Sequence, residues 1–320
     1  MADISLSPYA SWNQTGITIT GSENGTSGSS ISKLNLPFGI SITKNNIIYI
    51  SDSDNHRIVV VPLDSISNIS IIGSGPGFGL NQFNGPYDLF VTNTSLYVID
   101  EQNHRVQKTQ LNGLNSTIVT RLSGLTWPYY LHVDDNENIY LSDTLNHQVL
   151  FFPFNSTNFT VVAGTGVVGS SDNQLNKPYG VFVNNAGTVY IADFFNNRIM
   201  KWPSGATVGV KVAGSGTGGL STTAIDHPTQ IIVDANEYLY ITESTYSRIT
   251  RWAPNSSYGV CIAACSGIPG VASTQLNSPH SLAFDSKGSL YVSDRSNHRI
   301  QKFQILTYQS KHSSNHHRSY

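Results

Sequence analysis

Charge is scarce in this sequence. Asp, Glu, Lys and Arg together make up 12% of 320 residues, and the formal net charge is −2. A chain so poor in Lys and Arg offers no basic face for a polyanion, so nucleic acid is not expected as a partner. Long apolar runs are missing as well: no stretch approaches the roughly 18 residues that a membrane-spanning helix needs. The opening MADISLSPYASWNQTG has no charged segment followed by an apolar one, so it does not read as a secretory leader. Helical periodicity with caps is nowhere evident. Only two cysteines occur, Cys261 and Cys265, too few for a disulfide framework.

Glycine (27 residues), Asn, Ser and Thr are abundant instead. Acceptor patterns N-x-[ST] occur at Asn13, Asn24, Asn68, Asn93, Asn115, Asn155, Asn158 and Asn255. Each one alone is weak, but eight together point to an extracellular or secreted, glycosylated chain, as a whole or as the ectodomain of something larger. The alternative is a polar, Asn-rich surface that carries no sugar.

The chain repeats itself six times. The copies begin LPFGISITKNNIIYISDSDNHRI, GPYDLFVTNTSLYVIDEQNHRV, WPYYLHVDDNENIYLSDTLNHQV, KPYGVFVNNAGTVYIADFFNNRI, HPTQIIVDANEYLYITESTYSRI and SPHSLAFDSKGSLYVSDRSNHRI. Their prolines, Pro37, Pro86, Pro128, Pro178, Pro228 and Pro279, lie 42–51 residues apart. Every copy carries a tyrosine and, three residues later, an acid.

Each copy reads as four strands, here called a to d, because aromatic and β-branched runs alternate with polar turns. Strand b is apolar on both faces and needs sheet neighbours on both sides, which a radial array supplies. The expectation is an all-β, six-bladed β-propeller of four-stranded antiparallel blades. It forms a single domain over 1–308, with blades near 36–73, 86–121, 127–164, 178–214, 228–265 and 279–306. The last copy stops after strand c, and residues 16–20 (GITIT) look like the missing strand d. Their pairing with the last blade would close the ring. The tail 309–320 is polar and aperiodic and is expected to be disordered.

The strand with P-x-G-[VI]-x-[VF], the second strand ending in Asp and the N-H-R turn together resemble the NHL repeat. The resemblance covers residues 16–306. It implies a propeller but not one activity. NHL propellers include the peptide-amidating lyase, sensor domains of receptor kinases, and RNA- or protein-binding domains. A metal-dependent lyase or lactonase and an RNA-binding domain are therefore the alternatives to a binding module for a protein, peptide or glycan.

An acid, an asparagine and a histidine at fixed spacing look catalytic, but one active site needs one set and the chain has several. The set is therefore assigned to b–c turns: Asp52, Asn55 and His56; Asp100, Asn103 and His104; Asp143, Asn146 and His147; Asp193 and Asn196; Asp294, Asn297 and His298. The acid is expected to accept turn N–H groups and the Asn to adopt a left-handed conformation. The Gly-rich d–a loops precede strands, not helices, and lack G-K-[ST], so they are turns and not phosphate cradles.

Strand order puts the b–c turns and d–a loops on one face and the a–b and c–d turns on the other. All the acceptor asparagines but Asn24 then fall on the a–b/c–d face. On the opposite face, the residues after the prolines are Phe38, Tyr87, Tyr129, Tyr179, Thr229 and His280, with Asp88, Tyr130 and Gln230 beside them. Aromatic rings with a hydroxyl suit binding surfaces, so Phe38, Tyr87, Asp88, Tyr129, Tyr130, Tyr179, Gln230 and His280 form the candidate ligand rim. Packing between blades is the competing explanation. His132, His227 and His280 are weak candidates for a channel zinc or calcium, and no cofactor is expected. In a continuous strand, Cys261 and Cys265 would stand roughly 13 Å apart, too far to bridge. A bend after Ala263 would bring them together, and both states stay open.

Overall fold

The computed structural model describes residues 4–121, 125 and 127–306. The tail expected to be disordered lies outside them. The described residues form six four-stranded antiparallel sheets. The inner strands a are Pro37–Ile42, Pro86–Val91, Pro128–Val133, Pro178–Val183, Pro228–Val233 and Leu282–Phe284. Strands b are Ile47–Asp52, Ser95–Asp100, Ile139–Asp143, Val189–Asp193, Leu239–Glu243 and Leu290–Asp294. Strands a of successive blades contact one another, and the sixth contacts the first, so the ring is closed.

Closure follows the sequence expectation. Ile17–Gly21 pairs antiparallel with Arg299–Phe303 and completes blade 6 as its strand d. A second link, which the repeat pattern did not reveal, adds to it. Ser11–Trp12 pairs with Ile305–Leu306 in a short two-stranded sheet. Trp12 is buried at 3% exposure, and its Nε1 donates to the Gly288 carbonyl at 2.9 Å. The chain start thus crosses blades 5 and 6: Ala235 N donates to the Ile4 carbonyl at 2.9 Å, and Asn236 Nδ2 to the Leu6 carbonyl at 3.0 Å.

The blades pack through clusters that each join two neighbours. Tyr190 sits with Ala192 and Ile199 of blade 4 and with Ile231, Ile241 and Trp252 of blade 5. Such contacts explain why strand b is apolar on both faces: every sheet is buried on both sides.

The b–c turn motif is structural, by a route other than the expected one. The acids do not cap their own turns. Asp100, for example, is fully buried; one oxygen accepts the backbone N–H of Asn84 at 2.6 Å. The other accepts Asn103 Nδ2 at 2.8 Å and Arg105 Nε at 2.7 Å. The Arg105 guanidinium then donates to the carbonyls of Phe78, Gly79 and Gln82 in the d–a loop. The same arrangement recurs at Asp52, Asp193 and Asp294. The Asn is therefore a side-chain donor. The left-handed position is the next residue: His56, His104, His147, Asn197 and His298 have φ of 49–55°. Nδ1 of His56, His147 and His298 accepts a backbone N–H from the following blade's loop at 3.0 Å, so these turns also tie blade to blade.

Cys261 and Cys265 are bridged, with Cα atoms 5.6 Å apart. Strand d of blade 5 ends at Ala263, and Ala264 takes a left-handed φ of 53°, which supplies the bend.

Candidate functional site

Strand a enters the channel with a defect. In blades 1 to 5 the register against strand b slips between the proline and the second or third residue after it. A bulge re-aims side chains, and here it turns the post-proline residues toward the channel. They meet there. The Phe38 ring lies 4.4 Å from Tyr87 and 4.4 Å from His280. Tyr87 stacks on Tyr129 at 4.9 Å, and Tyr129 meets Tyr179 edge-on at 5.1 Å. Tyr130, fully buried, reaches over to donate its hydroxyl to the His280 carbonyl at 2.9 Å.

The sequence marked these residues as an open rim. The structure makes them a plug, because six large rings converging on a narrow channel satisfy one another first. Phe38 and Tyr129 are buried at 3% and 9% exposure, while Tyr87 and Tyr179 are half-buried. Below the rings lie Asp88 and Gln230, each laid across the glycine of the preceding blade's strand a. A Cβ at Gly39 would collide with the Asp88 carboxylate, and one at Gly180 with the Gln230 amide. One Asp88 oxygen accepts the Leu131 N–H at 3.1 Å, and the other has no hydrogen-bond partner. Burial pushes the Asp88 carboxyl up to about 7. Thr229 is buried and donates its hydroxyl to carbonyls of Thr242 and Pro279.

The opposite end of the channel is open. A cavity of about 620 Å³ reaches in from the a–b face. Its floor is apolar, built from Ile42, Phe90, Val133, Phe182, Val183, Ile232, Val233 and Phe284. Its mouth is formed by the a–b turns carrying Lys44, Asp135, Asn136, Asn184, Ser286 and Lys287, with Ile4–Leu6 along one side. Sequence reasoning missed this cavity. Floor residues repeat as ordinary strand-a positions, and nothing in a single copy says that one end of the ring is filled and the other is not.

The three histidines singled out from the sequence are not brought together. His132 is in the cavity, His280 is in the plug, and His227 bonds Asp226 at 2.6 Å and Thr245 at 3.0 Å beside the plugged face. Among the described residues no three His, Cys, Asp or Glu side chains converge as a metal site. All eight acceptor asparagines are exposed.

The NHL repeat model matches residues 34–61 and 276–303, the first and last copies. The chain is thus a six-bladed β-propeller with NHL repeats at two sites. An 86-residue stretch is 31% identical to NHL repeat-containing protein 2 of Bos taurus. It covers 25% of this chain and 11% of that relative.

Among solved structures, a protein of unknown function from Bacteroides thetaiotaomicron superposes with a TM-score of 0.73 at 18% identity, covering 91% of this chain and 76% of that one. Virginiamycin B lyase from Staphylococcus aureus gives 0.59 at 14%, covering 91% and 98%. An auxiliary nutrient binding protein from Bacteroides thetaiotaomicron gives 0.66 at 15%, covering 96% and 79%. At these identities the likeness is one of fold.

Proposed function

We propose that this propeller is a binding module whose ligand enters the channel from the a–b face. One observation carries the reading: the channel is stoppered by its own aromatic residues at one end and opens into a cavity of about 620 Å³ with an apolar floor at the other. Small-molecule sites typically have volumes of about 300–1,000 Å³, apolar walls and a few polar groups. Similarity in fold to a nutrient binding protein supports a binding role; similarity to a lyase keeps an enzymatic one as the alternative. The test is affinity for a panel of small apolar compounds. Phe182→Ala, in the cavity, should weaken binding of the best of them at least tenfold, and Tyr179→Ala, in the plug, should not. The reverse order would move the site to the other face.

A second reading concerns that other face. Its d–a loops expose Phe78 (78%), Val167 (59%) and Ile268 (63%), with Trp127 (51%) before Pro128. Apolar side chains held out on successive loops suit a protein or peptide partner. Pull-down with Phe78→Ser/Ile268→Ser against the native chain tests it.

The extracellular, glycosylated setting is part of the proposal. The Cys261–Cys265 bridge and the exposure of every acceptor asparagine support it. Sugars on the c–d turns would ring the outer edge of the cavity face and leave its centre free. Intact mass of the chain expressed through a secretory pathway, before and after glycosidase, tests this; an unmodified chain counts against it.

A further inference from the structure

The cavity floor holds one polar side chain that the fold does not use. His132 lies on strand a of blade 3 at 7% exposure. Phe90 meets its ring edge-on at 4.8 Å from one side, and Phe182 at 5.2 Å from the other. Among the described residues neither ring nitrogen has a hydrogen-bond partner. His132 lines the cavity, and a polar group in a cavity wall that no neighbouring side chain satisfies is met by whatever fills the cavity. The repeat does not require a histidine here. The matching positions are Ser41, Phe90, Phe182, Ile232 and Ala283, and none of them could offer the same pair of ring nitrogens.

We propose that the cavity takes a neutral, hydroxyl-bearing aromatic molecule whose ring lies against Phe90 and Phe182 and whose hydroxyl bonds to His132. The proposal rests on the cavity being the ligand site. Three features of the site set the chemistry. Two aromatic edges bracketing the histidine favour a flat π-system over a flexible chain. Burial drives the His132 imidazole down to about 3, so it stays uncharged and presents one N–H and one lone pair. A hydroxyl, which both donates and accepts, can use either nitrogen. A carboxylate would be stripped of water against an apolar floor, and among the described residues the cations that line the cavity, Lys44 and Lys287, stand exposed at its mouth.

Dissociation constants of naphthalene, 2-naphthol and 2-naphthoate, measured by fluorescence on the native chain and on His132→Phe, test the inference. On the native chain 2-naphthol should bind about fivefold tighter than naphthalene, the effect of one neutral hydrogen bond. 2-Naphthoate should bind at least tenfold more weakly than 2-naphthol. His132→Phe keeps the ring and should bind naphthalene as before, with the preference for 2-naphthol gone; His132→Leu is the second variant should Phe disturb folding. Equal affinity of the native chain for naphthalene and 2-naphthol, a preference that survives in both variants, or tightest binding of 2-naphthoate would overturn the hydroxyl assignment and leave the cavity standing. No binding of any of the three would count against the cavity itself, and the inference would fall with it.

Discussion

The Tyr130 hydroxyl and the His280 carbonyl are 2.9 Å apart, joining blade 3 to blade 6 straight across the channel. Most contacts in a propeller link neighbours; this one spans the ring. Tyr130→Phe keeps the ring in place and leaves a buried carbonyl short of a donor. It should cost about 1–2 kcal/mol in denaturant unfolding. Tyr130→Ala also empties the plug and should cost about 3–5 kcal/mol. A Tyr130→Phe chain as stable as the native one would mean that the hydrogen bond contributes nothing; equal losses in the two variants would mean that the ring adds nothing beyond it.

Asp88 predicts a pH dependence with a definite sign. An unfolded aspartate titrates near pH ~3.9, whereas in the folded channel burial pushes the carboxyl up to about 7. Between those values the unfolded chain has lost a proton that the folded chain keeps, so stability falls as pH rises. Below the unfolded value the penalty is absent, and above about 7 it is complete. Asp88→Asn should therefore match the native chain near pH ~3.5 and exceed it by roughly 2–4 kcal/mol at pH 8. Urea midpoints at both pH values decide it; a gap that does not change with pH contradicts the assignment.

The chain start should hold the ring shut. Removing residues 1–21 deletes both Ser11–Trp12 and Ile17–Gly21, leaving Arg299–Phe303 as a bare edge and Trp12's site empty. A blade that loses a strand loses ladder and packing together, so the truncated chain should melt far below the full one. An unchanged melting temperature would show that closure lies elsewhere.

Replacing Arg105 by Lys should be costly, although the charge is kept. Arg105 is 3% exposed, and its fork serves Asp100 and three loop carbonyls at once. A lysine ammonium cannot reproduce that geometry, and leaving the buried Asp100 poorly paired should cost about 3 kcal/mol. Denaturant unfolding of Arg105→Lys beside the surface change Lys211→Arg gives the comparison.

The propeller was legible because its evidence is repeated. Six prolines, six strand-b tyrosines and a missing last strand leave little freedom, and the chain closes where the orphan GITIT says it should. Finer geometry was not. The turn Asn was expected to be left-handed, but its amide is needed by the buried acid, so the strain passes to the next residue. In the sequence Phe38, Tyr87, Tyr129 and Tyr179 look alike whether they face water or each other; what decides between a rim and a plug is how many converge at one radius. From the sequence His132 is a metal candidate and nothing more. Its partners Phe90 and Phe182 come from neighbouring blades, 42 residues before it and 50 after it, by the repeat length itself.

The most direct test is a crystal structure of the propeller with 2-naphthol bound. The account predicts density in the a–b cavity between Phe90 and Phe182, with the hydroxyl within hydrogen-bond distance of His132 and the Phe38–Tyr87–Tyr129–Tyr179 plug unmoved. Density on the opposite face, with those four rings parted to admit the ligand, would contradict it.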